Sequence, residues 1–426
     1  MIPAAGEDGA AAGAGAAPWW QPRPVLRRFV ADLIQDELSR LRRSGASLAQ
    51  PWPEELALEQ DLGVDSLERL ALAAALAESL HLHQSGIEDY LLARRSLGDW
   101  IDIADAGLAR FCSELTFRTS GSSGVPKPCL HQLSSLLQEI DQLAVMFEGR
   151  QRILSAVASH HIYGFLFTIL LPRALGLGPE AVIDLRGSTP AWLARGAMPG
   201  DLVIGHPDFW EAVARTVPQM PADLVGVTST APCPDHVSDA IEKAGIARLA
   251  HIYGSSETAG IGWRSSYRDP YSLFAHWSFS PGHADELLRR LPDGRQQARA
   301  CQDRLERLGP CTFNVASRHD EGVQVGGVNV FPSRAEAALK RHPLVQDAVV
   351  RLMRPDEGTR LKAYVVPRAA VADAALLVAD LRRWIDAHLT VPERPKSIRL
   401  GTGLPVTASG KHSDWDAGTG EAAQRH

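Results

Sequence analysis

From Thr116 to Lys127 the chain reads Thr-Phe-Arg-Thr-Ser-Gly-Ser-Ser-Gly-Val-Pro-Lys. Small hydroxyl residues and two glycines let backbone N–H groups and Oγ atoms wrap phosphate oxygens, and Lys127 adds a cation. A plain Ser/Gly linker would need neither the β-branched residues before this loop nor the Pro126-Lys127 pair that ends it. The spacing differs from Gly-x-x-x-x-Gly-Lys-Ser/Thr, so it is not an ordinary nucleotide-triphosphatase loop. Upstream, Gly63-Val64-Asp65-Ser66-Leu67-Glu68 sets a serine hydroxyl at the head of an apolar helix, exposed on a loop where a modifying enzyme can reach it. An isolated Asp-Ser pair in that position serves more often as a helix N-cap.

These segments need elements to hold them, and 426 residues provide two or three domains. Hydrophobic residues at 45% and charged residues at 22% describe a globular chain and exclude a disordered one. A net charge of −6, with no basic cluster, argues against nucleic acid. The most apolar run, 165–171, is closed by Pro172-Arg173 and falls far short of the ~20 residues of a bilayer span, so no membrane span is expected. Five cysteines without a Cys-x-x-Cys pair suit a reducing compartment, hence a cytoplasmic protein. The Ala/Gly/Pro-rich residues 1–23 read as a disordered tail, and 412–426 as a second tail.

Residues 25–43 form an amphipathic helix by period, with Leu26, Phe29, Val30, Leu33, Ile34 and Leu38 on it. Ser66 opens a second helix carrying Leu67, Leu70, Leu72, Leu76 and Leu80, and shorter helices are expected at 86–92 and 96–103. Four helices over 24–108, a long first loop and the Asp65-Ser66-Leu67 string resemble an acyl carrier protein. That resemblance implies a 4′-phosphopantetheine arm on Ser66. The second helix is poorer in acidic residues than the family pattern, with Glu68 and Glu78 partly offset by Arg69.

The phosphate loop, with Thr119, Ser120, Gly121, Ser122, Ser123, Gly124 and Lys127, resembles the signature of the acyl-adenylating superfamily, and further strings follow in that superfamily's order. His160-His161-Ile162-Tyr163-Gly164 is similar to the segment whose histidine, here His161, borders the acyl pocket. Thr228-Ser229-Thr230-Ala231-Pro232 is similar to the strand-turn that lies against adenine, which assigns Ala231 and Pro232 to the nucleotide. In Ile252-Tyr253-Gly254-Ser255-Ser256-Glu257-Thr258 the resemblance implies that Tyr253 stacks near adenine beside Gly254 and Ser255. It also implies that Glu257 holds Mg²⁺ and Thr258 touches the α-phosphate. Asp303 matches the ribose-binding aspartate and Arg318 the hinge arginine, with Asp320 the hinge pivot. Lys411, in Leu404-Pro405-Val406-Thr407-Ala408-Ser409-Gly410-Lys411, matches the lysine that bridges carboxylate and α-phosphate. Two departures stand out: Ala300-Cys301-Gln302 replaces the usual aromatic-x-Thr-Gly, and Ser317 replaces a glycine.

The expected architecture is multidomain: a small four-helix carrier-like bundle over 24–108, an α/β adenylate-forming core over 112–319 that is truncated at its N-terminus, and a small α+β C-terminal domain over 320–411. The implied chemistry uses ATP and Mg²⁺ to convert a carboxylic acid to an acyl-adenylate, then passes the acyl group to the phosphopantetheine thiol of an acyl carrier protein, its own or a separate one. The alternatives are an acyl- or aryl-CoA ligase with a structural carrier-like unit, and a non-catalytic nucleotide-binding interaction protein. No Phe-Asp pair accompanies His161, which argues against an amino acid substrate. A compact adenylating enzyme beside a carrier resembles starter loading in aryl-polyene pigment pathways, which implies a hydroxybenzoate-like acid. Cys129 reads as a small buried thiol, and His81 and His83, two apart, as poorly placed to share a metal on a helix.

Overall fold

Helix α1 (Arg23–Arg42) buries Leu26, Phe29, Val30, Leu33 and Ile34, and also Asp32 and Glu37, so more than one of its faces is covered. A helix with that pattern must be enclosed rather than laid on a surface. The computed structural model, which describes residues 17–42, 51–119, 127–283, 286–318, 322–369, 373–405 and 415–416, shows what encloses it. On one side lie α2 (Ser66–Ser79) and the helix Leu97–Leu108. On the other, Trp19 and Phe29 meet Phe165 edge-on, with ring centroids 5.0 and 5.8 Å apart. Asp32 accepts hydrogen bonds from Ser159 N and Oγ, both at 2.7 Å, and pairs with Arg186 at 2.7 Å.

A free-standing carrier-like bundle over 24–108 is therefore not what the packing forms. Leu72, Leu76, Trp100 and Leu108 belong to the same continuous apolar cluster as Phe165, Ile204, Ala250 and Phe313. The second apolar stripe of α1 is the physical reason, because only the sheet and the 162–174 helical segment can cover it. Trp19 and Trp20 are buried as well, so of the expected tail over 1–23 residues 17–23 are packed chain, and 1–16 lie outside the described residues. Two indoles outweigh the small residues around them.

Strands β1 (Glu114–Thr119) and β2 (Lys127–Gln132) form an antiparallel hairpin in which Thr119 and Lys127 face each other across the phosphate loop. The main sheet begins with β3 (Arg152–Ser155), β4 (Val182–Asp184), β5 (Asp201–Gly205), β6 (Val225–Thr228) and β7 (Arg248–Ser255), in the parallel order β4-β3-β5-β6-β7. Successive residues point to opposite faces. Ile153, Leu202, Ile204 and Ala250 enter the core shared with α1, while Leu154, Val203 and Leu249 enter a second core with Trp210, Val213 and Ile241. Antiparallel β8 (Ala259–Arg264) and β9 (Tyr271–Leu273) extend the sheet. A separate three-stranded sheet holds β10 (Trp277–Phe279), β11 (Glu286–Arg290) and β12 (Gln296–Ala300), and the hairpin β13 (Asp303–Arg307) and β14 (Thr312–Arg318) completes the nine-stranded order. From β3 the chain turns first to β4 and then to β5 on the other side, so the switch point lies at the carboxyl ends of β3 and β5. Open α/β sheets place their ligand crevice there.

The C-terminal region has its own core of Val325, Val330, Leu339, Val345, Leu361, Leu381 and Ile385. It comprises the hairpin β15 (Val323–Val325) and β16 (Val328–Val330), the strands β17 (Val345–Leu352), β18 (Leu361–Pro367) and β19 (Ser397–Leu400), and the helices Pro332–Lys340 and Ala374–His388. Beyond β19, Trp415 is buried against Lys362, whose Nζ donates to Trp415 O at 2.5 Å and to Glu357 at 2.6 Å. The expected tail over 412–426 is thus anchored at Trp415. Among the described residues no helix is long and apolar enough to cross a membrane.

Removing one partner of a buried ion pair leaves the other uncompensated, at a cost of about 3–5 kcal/mol. Asp32→Ala is expected to lose about that much stability in chemical denaturation, with Asp32→Asn milder. Far-UV circular dichroism and tryptophan fluorescence should shift together. Loss confined to a separate helical phase would show that the N-terminal helices fold as their own unit after all.

Candidate functional site

The β7–β8 hairpin carries the densest set of expected site residues. Gly254 is required there, because a Cβ would lie 2.1 Å from Ala259 O. Ala259 takes φ +60°, and Thr258 Oγ1 accepts from Ser255 N at 3.2 Å and lies 3.0 Å from Ser255 Oγ, so the turn is tied internally with Glu257 at its tip. Three side chains brace it from outside. His131 Nε2 lies 2.7 Å from Ser256 O, Glu139 accepts from Gly260 N at 3.0 Å, and Arg289 donates to Thr258 O at 3.1 Å and to Ser135 O at 2.6 Å. Burial pulls the His131 imidazole down to about 4, so it braces as a neutral ring. Burial raises the Glu139 carboxyl to about 7, against the opposing pull of Arg289 and the Gly260 N–H.

His131 stands on β2, which begins at Lys127, so the far strand of the phosphate-loop hairpin is bound directly to the turn that bears Glu257. Burial, and then the charge of Glu257, push the Cys129 thiol up to about 12. That agrees with its reading as an inert buried residue. Residues 120–126, with Ser120, Gly121, Ser122, Ser123 and Gly124, lie outside the described residues, as do Asp320 and Lys411 and the side chains of Thr119 and Arg318.

On the expected nucleotide side, Tyr253 Oη donates to Asp303 Oδ2 at 2.8 Å, and its ring packs against Tyr271 and Phe313 with centroids 5.7 and 5.5 Å away. Asp303 and Arg318 are direct cross-strand partners in the β13–β14 hairpin. Their spacing in the sequence is therefore the span of one hairpin. Ser229 Oγ donates to Ile252 O at 2.9 Å, and Thr230 takes φ +77°, an outlier for a β-branched residue. The β15–β16 turn of the C-terminal region comes close to this point. Gly326 and Gly327 both have positive φ, and a Cβ at Gly327 would lie 2.7 Å from Thr230 Oγ1.

At the switch point, the segment after β3 carries His160 and His161. Gly164 is fixed by contact, since a Cβ would lie 1.8 Å from Ala158 O, and Tyr163 Oη donates to Gly205 O at 3.0 Å. His161 is open to solvent on one side and packs on His160 on the other. Burial holds its ring down to about 4, so it is neutral at ordinary pH. Its ring centroid is 3.9 Å from that of His160, and His160 Nε2 stands 3.4 Å from Asp36 Oδ2 of α1. Against the upward pull of desolvation, the two histidines hold the Asp36 carboxyl below the usual carboxylate range. Asp32, Asp36, His131, Glu139 and Arg289 were not among the residues expected from sequence. Asp32 and Asp36, four apart on one apolar helix, carried a readable signal; the other three carried none.

Ser66 is exposed as the first residue of α2, away from these clusters in sequence and element. Asp65 is the N-cap: its Oδ1 accepts from Glu68 N at 2.8 Å, and Glu68 Oε2 accepts from Asp65 N at 3.1 Å. Arg42 of α1 pairs with Glu68 at 2.7 Å.

The model of the AMP-binding enzyme family matches residues 117–275, and that of the AMP-binding enzyme C-terminal domain matches residues 334–411. A 4-coumarate–CoA ligase of Cereibacter sphaeroides is 38% identical over 92% of this chain and 96% of its own length. Enzymes of the same name from Rhodobacter capsulatus (38% identical, 92% and 100% covered) and Halorhodospira halophila (36%, 90% and 97%) are similar. The part of the chain outside these alignments is smaller than 24–108, so the N-terminal helices are shared, at least in part, with relatives matched almost end to end. Among solved structures, an amide bond synthetase from Marinactinospora thermotolerans superposes with a TM-score of 0.58 at 17% identity, covering 91% of this chain and 92% of that one. An o-succinylbenzoate CoA synthetase from Bacillus subtilis gives 0.57 at 15%, covering 90% and 91%. At such identities the likeness establishes the adenylate-forming α/β fold with its C-terminal domain, and nothing finer.

Glu139 supplies a pH test of the bracing. The unfolded carboxyl releases its proton near the ordinary 4.5, whereas the folded one holds it to about 7. Between those values the folded state binds more protons, so stability falls as pH rises through the window and stays lower above it, by about 3 kcal/mol in all. Glu139→Gln keeps an acceptor for Gly260 N–H without a charge to bury, so its denaturation midpoint should be flatter than wild type between pH 5 and pH 8. Parallel pH profiles for the two proteins would refute the assignment.

Proposed function

The chain belongs to the AMP-binding enzyme family, and on that premise we propose that it is an AMP-forming ligase joining an aromatic, hydroxycinnamate-like acid to coenzyme A. The observation that carries this is the near end-to-end similarity to 4-coumarate–CoA ligases. It favours CoA as acceptor over an acyl carrier protein, and a hydroxycinnamate over the hydroxybenzoate-like acid expected from sequence.

In the first step an oxygen of the acid's carboxylate attacks the α-phosphorus of ATP. The bond from that phosphorus to the bridging oxygen breaks, and pyrophosphate leaves. In the second, the CoA thiolate attacks the acyl carbon and AMP leaves. The β1–β2 hairpin presents the phosphate loop and Lys127 to the triphosphate. Asp303, oriented by Tyr253 Oη, takes the ribose, and the turn after β6 with Ala231 and Pro232 lies against adenine. Glu257, at the tip of a turn braced on three sides and facing the Lys127 strand, is a hard oxygen donor that suits Mg²⁺. When bound, that ion would offset negative charge on the phosphates. His161 borders the acid, and its neutral ring at ordinary pH spares the site a buried cation. Lys411 brings positive charge to the carboxylate and α-phosphate as negative charge gathers there. Rotation of the C-terminal domain about Asp320 would withdraw Lys411 for the thiol step.

The carrier reading of Ser66 has less support, because Asp65 and Glu68 already account for the string as a capping box. Lys411→Ala should cut acid-dependent pyrophosphate release by about 10²–10³-fold, the scale for removing one preorganised charge-stabilising group. Release unchanged in that variant, or absent in wild type, would return the chain to a non-catalytic nucleotide binder. Ser66→Ala should leave CoA-thioester formation from 4-coumarate within about twofold of wild type, as surface changes usually do. A thioester found on an arm at Ser66, with no free acyl-CoA made, would reverse the choice of acceptor.

A further inference from the structure

Helix α1 grips the segment after β3 at two points one helical turn apart. Asp32 takes Ser159 and Arg186, and Asp36 faces His160 and His161. At that second point, one carboxylate oxygen and one nitrogen from each imidazole all lie within 4.8 Å of one another. His160 is the informative member. Its side chain is only 9% exposed, and neither ring nitrogen makes a hydrogen bond, Nε2 standing 3.4 Å from Asp36 Oδ2. Buried polar atoms are normally satisfied, so an imidazole left this way points to a missing partner.

We propose that Asp36, His160 and His161 bind one divalent transition-metal ion of the zinc class. Two imidazoles and a carboxylate form a donor set suited to such ions, whereas Mg²⁺ and Ca²⁺ prefer oxygen throughout. Zinc–nitrogen bonds of about 2.0–2.1 Å set ligand atoms roughly 3–3.5 Å apart. The Asp36–His160 separation already meets that spacing, and wider separations, within 4.8 Å, must close by up to about 1.5 Å. Asp36 is exposed and can turn inward to do so. With three protein ligands a fourth position stays open to solvent, as in zinc sites that are not purely structural.

The site stands on its own geometry and does not depend on the ligase reading. If that reading holds, His161 cannot face the acid while it ligates an ion, so metal and acid would exclude each other and the ion would act as an inhibitor. Nothing in the adenylation chemistry calls for this ion, and it is distinct from the Mg²⁺ assigned to Glu257.

Cobalt(II) titrated into the tag-free full chain tests the proposal, followed by visible absorption and calorimetry and then displaced with Zn²⁺. The expected result is saturable binding of one ion per chain, released by Zn²⁺ and weakened at least tenfold in both His160→Ala and Asp36→Asn. Metal-free unfolding midpoints check that each variant is folded. Should His160→Ala fail to fold, the exposed Asp36→Asn decides the matter alone. No saturable binding, or equal affinity in wild type and the folded variants, overturns the site. In a ligation assay Zn²⁺ should raise KM for the acid with kcat unchanged, and the effect should vanish in Asp36→Asn. A chain that binds cobalt but ligates no acid would keep the metal site and refute the ligase.

Discussion

Asp32 sits inside the protein and takes three partners from two distant parts of the chain: both donors of Ser159, just after β3, and the guanidinium of Arg186, just after β4. A buried carboxylate is tolerated only when its oxygens are met, so α1 has one acceptable register against the sheet. That register carries Phe29 onto Phe165 and closes the apolar face that the parallel strands would otherwise expose. It also sets one side of the crevice proposed to hold the acid, because Ser159 is followed directly by His160 and His161. The apolar contacts supply most of the driving force, and the polar contacts of Asp32, Asp36 and Arg28 decide where they are made.

A similar division of labour holds at the β7–β8 turn. Its internal hydrogen bonds would leave Glu257 on a short projecting loop, but His131, Glu139 and Arg289 reach in from β2, from the helix Leu133–Met146 and from β11. All three are ionisable groups in buried positions, and burial shifts each of them toward its neutral form. Preorganisation of a charged side chain is obtained by spending stability on the groups behind it.

Much of this was legible in the sequence. The glycines at 164 and 254 sit where a Cβ would strike a carbonyl, and the interval from Asp303 to Arg318 proved to be one hairpin. The helical period of α1 was right, and α2 forms where expected but leaves Leu67 and Leu70 exposed while burying Leu72 and Leu76. What could not be read was the partner of each apolar stripe, since periodicity says which face is buried and not against what. That gap is why four helices resembled a separate carrier unit, although α1 and α2 pack into a core continuous with the sheet. Asp32 and Asp36, set into the apolar pattern of α1, were the available warning, because polar groups on a buried stripe require partners elsewhere. His131, Glu139 and Arg289 left no such trace, as their roles depend on contacts more than a hundred residues apart.

The burial of Trp415 bears on how the C-terminal body is closed. Strand β19 and the Lys362–Trp415 contact both belong to that body, so chain from beyond the last strand returns to cover β18. The fully buried Lys362 ammonium is met there by Glu357 and by Trp415 O, with the indole ring 5.3 Å away. A buried ammonium is tolerated only while its acceptors stay in place, so the last described turn of chain works as a stopper, and the interior cation of the sheet depends on a residue 53 positions away in sequence.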